Sequence, residues 1–251
     1  MMGTRANLRK ALFDRLPWSL WGPVYRLATR SFQHRGSLRK SRVGPGSYID
    51  PTVQMAGWRN VRIGSHTTVS EHCWFNVNFR DDRSDRIVVG DFCHIGRGNF
   101  FSSGPRIVLK DFSFTGIDCH FLGCGHNLES PLVPYIVSGL SEGAAIDIGV
   151  NCWLTTSVTV LEGVHVGHGS VIGARSLVIS DIPPFSIAVG NPCRVVKRFD
   201  FRNEAWIDIE AWSNELERLI PTEAAYRAQL ANSETNISSS LLSASRRFGW
   251  I

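Results

Sequence analysis

The side chains best suited to chemistry in this chain are its imidazoles and thiols. Histidine exchanges protons near neutral pH because its ordinary pKa lies there; cysteine offers a nucleophile or, in clusters, a zinc ligand. No Cys-x-x-Cys pair occurs among the six cysteines, which argues against a zinc site. Cys73, Cys93, Cys119 and Cys152 instead share one place in a six-residue period, where a small packing side chain is wanted. Among the histidines, His126 opens the longest interruption of that period, residues 126 to 147. His94, His120 and His165 fall at the sixth place of their units, where a side chain faces outward, and His66, His72 and His168 fall at corners.

The period itself positions these groups. Ile148, Leu154, Val160, Val166, Ile172 and Val178 recur every six residues without a break. Six residues advance an α-helix by about 1.7 turns, so sixfold neighbours would scatter around its surface. Hairpin turns of the Asn-Gly or Asp-Gly type are missing from the run, which argues against an antiparallel meander. A solenoid of short parallel strands remains, each unit supplying one strand and one corner around an aliphatic interior. The frame extends upstream through Ile49 and Met55; Ile63, Val69 and Phe75; Val89, Ile95 and Phe101; and Leu109, Thr115 and Phe121. Loops inserted between rungs leave the stack intact and are where specific function is added.

Outside the repeat the composition changes. Ten of the 27 Lys and Arg residues precede Gly46, opposed there only by Asp14, so the net charge of +5 belongs to the amino terminus. Residues 1–46 read either as a helical cap on the solenoid or as a basic, aromatic surface for an anionic membrane. No nucleic-acid-reading motif accompanies the charge, so a nucleic-acid partner is not expected. Asp14, Arg15 and Pro17 interrupt the apolar stretch that a secretory signal would need, and no apolar run approaches the roughly 20 residues of a membrane span. A cytoplasmic protein, with peripheral contact at the inner membrane face as an option, is the expectation. Beyond the solenoid domain, 47–198, residues 199–231 read as two helices, over Asn203 to Ile220 and Thr222 to Ala231, and the Ser-rich stretch 232–251 as a loose tail.

Three pieces, IGVNCW, VLEGVHVGHGSVIGARSLVISDIPP and AVGNPCRVVKR, resemble the hexapeptide-repeat acyltransferases, in particular galactoside, maltose and polysaccharide O-acetyltransferases. The resemblance implies an all-β, left-handed parallel β-helix; right-handed crossovers are the general preference, and the spacing does not show the winding. It implies acetyl-CoA as co-substrate with no metal, a homotrimer with its site between two chains, and a carbohydrate acceptor. His126, following a rung and preceding NLESP, matches the family's catalytic histidine. Such a base removes the proton of a poorly nucleophilic hydroxyl as it attacks the thioester, worth about 10²- to 10⁴-fold. Trp153 matches the tryptophan beside the pantetheine arm, with Thr155, Ser170, Ala174 and Arg175 along its groove and corner amides for the oxyanion. Arg194, Lys197 and Arg198 match the basic exit strand that meets the coenzyme phosphates. Ser180 stands where relatives carry a lysine, which leaves one phosphate contact in doubt unless Arg175 replaces it.

The expected activity is O-acetylation of a sugar hydroxyl in a surface or exported polysaccharide or its precursor. N-acetylation of a nucleotide amino sugar or an antibiotic is the alternative within the same chemistry, and a non-catalytic scaffold is the alternative outside it. A carbonic anhydrase of the same solenoid type would need His94, His120 and His126 to converge between subunits; their spacing of six departs from that family's close pair, spaced by five.

Overall fold

A computed structural model describes residues 42–232. The chain winds as a left-handed parallel β-helix, each coil laying one short strand into each of three sheets. Among the described residues the sheets hold six, nine and six strands. In the uninterrupted part the coil is eighteen residues: Leu154 pairs with Ile172, and Val160 with Val178. Three hexapeptides therefore make one turn, which is why the sixfold period reads as a single continuous column.

The aliphatic positions face the interior. Ile63, Val69, Ile95, Leu109, Ile148, Leu154, Val160, Val166, Ile172 and Val178 are all buried. Phe75, Phe101 and Phe121 stack face to face down one side, with centroids 4.5 and 4.6 Å apart, each contact adding about 0.5–1.5 kcal/mol beyond area burial. Cys73, Cys93, Cys119 and Cys152 turn into the corners and are buried; burial pushes the thiols of Cys73, Cys93 and Cys152 up to about 12 and that of Cys119 to about 11. They are inert packing residues. Because stacked coils exchange their backbone hydrogen bonds in register, the sheets have open edges only at their ends.

Corners demand left-handed backbone at one residue each. His66, His72, Asn151, Ser157 and Arg175 adopt it at φ between 53° and 60°. Coils also pass closely at glycine: a Cβ on Gly167 would lie 2.3 Å from the Pro184 nitrogen.

The ends differ from the sequence expectation. Arg42–Val43 already pairs with Arg62 and Ile63, so the stack begins inside the segment read as amino-terminal; residues 1–41, with their proposed cap or membrane role, and 233–251 lie outside the described residues. Asn203 to Ile220 is not one helix. Arg194–Asp200 folds antiparallel onto Ser186–Val189 and then pairs with Ala205–Asp208, leaving only a short helix at Asn214–Glu217. This hairpin continues the second sheet past its last parallel strand, so edge pairing outweighs the helical spacing of Trp206, Ile209 and Leu216. The second helix is present at Glu223–Ala231, capped by the Thr222 side chain, which accepts from the Ala225 amide. Glu223 and Arg227 tie it to the coils through Lys110 and Asp111. No helix among the described residues is long and apolar enough to cross a membrane.

Candidate active site

The interruption leaves the stack after His120–Leu122 and rejoins it at Ile146–Ile148, so Ile146 and Asp147, read as loop, belong to the solenoid. Its base is a small antiparallel stem. His126 bridges Leu140, the Asn127 amide donates to Gly139 O at 3.1 Å, and the Ser141 amide donates to Gly125 O at 2.9 Å. His126 is thus held at the base of the loop by a single antiparallel bridge and is exposed. Beyond the stem the loop exposes Leu128, Leu132, Tyr135, Ile136 and Val137, an apolar tip of the kind that marks a contact surface.

Trp153 stands at the outward position of the second sheet, 46% exposed, its ring parallel to Phe114 at 6.1 Å. Thr155 begins the next corner, where both its amide and its hydroxyl donate to Ile172 O. One coil on, Ala174 and Arg175 are exposed at the same corner, and the Arg175 amide donates to Thr156 O. The structure therefore gathers Trp153, Thr155, Ala174 and Arg175 on one edge. Since the Thr155 and Arg175 amides are spent between coils, the oxyanion role read for corner amides falls to neither.

Two expected residues are elsewhere. Ser170 lies in a different corner, between the first and second sheets, fully buried; its hydroxyl donates to Pro183 O and accepts from the Ser186 amide. It occupies the same inward fifth place as Cys152, a signal already present in the period. Arg198 is also buried: its guanidinium pairs with Glu217, donates to Pro184 O and stacks 4.2 Å over Trp212. A guanidinium so committed holds the hairpin to the short helix and is not available to a phosphate. Arg194 is exposed on that hairpin, with Lys197 beside it in a 3.2 Å ion pair to Asp208.

Of the histidines, His94 projects from the second sheet and His120 from the third, so with His126 on its loop they do not converge within one chain. Among the described residues no group of three or more His, Cys, Asp or Glu is placed to hold a metal ion. Asn99 is buried and its side-chain amide donates to Gly96 O and Gly116 O, a corner residue like Cys119.

No family model matches the chain. A chloramphenicol acetyltransferase of Klebsiella aerogenes is 31% identical over 172 residues, which cover 64% of this chain and 79% of that protein. The chain belongs to the hexapeptide-repeat acetyltransferase family. A Staphylococcus aureus protein provisionally named an acetyltransferase is 36% identical over 133 residues, 53% of this chain. That match spans 65% of the relative's length. Among solved structures, AntD, an N-acyltransferase from Bacillus cereus determined with dTDP-4-amino-4,6-dideoxyglucose and coenzyme A, superposes with a TM-score of 0.56 at 17% identity, over 66% of this chain and 88% of AntD. AntD determined with dTDP and 3-hydroxybutyryl-CoA gives 0.55 at 15% identity, covering 79% and 96%. These superpositions establish a shared fold.

Proposed function

We propose that this protein transfers an acetyl group from acetyl-CoA to a sugar hydroxyl of a surface or exported polysaccharide or its precursor. The observation that carries this is the placement of His126: an exposed residue on a hydrogen-bonded stem at the largest break of a family β-helix.

The edge of the second sheet suits the coenzyme. Trp153 offers a ring face to the pantetheine arm, and small side chains at Thr155 and Ala174 leave the edge open. Arg175 and Arg194, exposed toward the carboxy-terminal coils, supply cations for the phosphates, with Lys197 beside them. Acetyl-CoA supplies the activated acyl group. His126 takes the acceptor proton as the hydroxyl oxygen attacks the thioester carbon; the thiolate of coenzyme A leaves and is protonated in turn.

Since His126 and Trp153 lie on different faces of one chain, the site is completed between two copies in a homotrimer, His126 of one facing Trp153 of the next. The exposed apolar loop tip supports this assembly. N-acylation of a nucleotide amino sugar is the second reading, favoured by the fold shared with AntD. Release of coenzyme A thiol from acetyl-CoA, followed with a panel of hydroxyl- and amino-sugar acceptors, tests the proposal. Dependence on a hydroxyl acceptor supports it; transfer only to amino groups moves the second reading to first place.

A further inference from the structure

The outward position of the second sheet forms a column of residues that the transferase mechanism does not use. Tyr48, Thr68, His94 and Phe114 succeed one another in register down the coils, and Trp153 follows. Beside this column lies a cleft of about 700 Å³, within the size range of small-molecule sites. It begins where the Trp153 edge ends, since Phe114 both lines the cleft and stacks on Trp153. Its walls are mixed in a particular way. Phe114 is 41% exposed, and Thr68 and Tyr48 line the cleft two and three coils further along the same column.

The charge of the cleft is acidic on balance. Asp50 and Glu71 contribute two carboxylates against one guanidinium, that of Arg97, which reaches Glu71 at 4.0 Å. Asp50 accepts from the Tyr48 hydroxyl and from the amide and hydroxyl of Thr52; its burial raises its carboxyl, but the Thr52 bonds outweigh that and hold it below the ordinary value, so it is ionised at neutral pH. Burial lowers the imidazole of His94, which leaves it uncharged there.

We infer that this cleft is the acceptor site and that it takes an uncharged sugar unit rather than a nucleotide-linked one. The inference rests on the transferase reading for its role, but the binding it describes does not require coenzyme A. An exposed aromatic ring packs against the C–H face of a pyranose, and carboxylates with hydroxyls accept and donate to its hydroxyl groups. A nucleoside diphosphate would bring at least two negative charges against Asp50 and Glu71 with only Arg97 to offset them, which disfavours it. Its position next to Trp153 would set a hydroxyl of the bound sugar at the thioester end of the coenzyme.

Saturation-transfer NMR on the full chain tests this with methyl glycosides of glucose, galactose, mannose and N-acetylglucosamine, and with UDP-galactose as the charged probe. At least one glycoside is expected to bind more tightly than UDP-galactose, and Phe114→Ala to weaken it about fivefold, the loss of one ring contact. Glu71→Gln, which removes charge without removing volume, is expected to strengthen UDP-galactose about threefold. Melting curves confirm that both variants fold. Tighter binding of UDP-galactose than of every glycoside, no glycoside binding, or a glycoside indifferent to Phe114→Ala overturns the inference. A parallel coenzyme A titration reads the transferase proposal by itself, so failure of one is distinguishable from failure of the other.

Discussion

At the scale of single residues, the account divides groups that act from groups that hold. His126→Ala removes the proposed base and nothing from the coenzyme edge, so kcat should fall about 10²- to 10⁴-fold while the dissociation constant for coenzyme A stays unchanged in a direct titration. Arg198→Met should do the reverse. It breaks the pair with Glu217 and the bond to Pro184 O, lowering stability by about 1–3 kcal/mol in a denaturant melt with coenzyme affinity intact. Sequence separated these roles only partly. Trp153 was readable as outward because it takes the sixth place of its unit, and Ser170 was readable as inward because it shares the fifth place with Cys152. Arg198 was not readable: its burial depends on Glu217 and Trp212 returning from a segment whose fold the hexapeptide period does not reach.

Elements carry the next set of consequences. The sixfold column was legible because each member faces one interior, so a single spacing records strand, corner and core together. Residues Asn203 to Ile220 differ from the helical reading because Trp206, Ile209 and Leu216 suit a helix face as well as a hairpin, and what decides between them is the open edge of Arg194–Asp200, which takes Ala205–Asp208. Close coil packing gives a sharp expectation. Gly167→Ala, whose added methyl meets the Pro184 backbone, should destabilise the domain by about 1–3 kcal/mol, read as a fall in Tm. The carboxy-terminal clasp should respond to acid. Burial raises the Glu223 carboxyl, but Lys110 and the Val150 amide outweigh it, and the net value lies below the ordinary 4.5; Glu217 behaves alike through Arg198 and Trp212. A depressed folded pKa stabilises fully above the ordinary value and is lost as pH falls through the depressed one. The clasp should therefore hold at neutral pH and loosen below about 4.5, seen as faster amide exchange across Glu223–Ala231 before the coils themselves open.

For the whole molecule, the proposed base, His126, lies on a loop that leaves the third sheet, while the proposed coenzyme edge follows the second, so activity is expected only from an assembly. Light scattering at micromolar concentration should report a trimer, and its dilution to monomer should abolish turnover. The most direct test of the central claim is isothermal titration of coenzyme A into the wild type and His126→Ala side by side. Saturable binding of equal strength in both is the expected result, because the proposed coenzyme contacts are Trp153, Arg175 and Arg194 and not the base. Absence of binding to the wild type would contradict the transferase account and leave a β-helix serving as a scaffold.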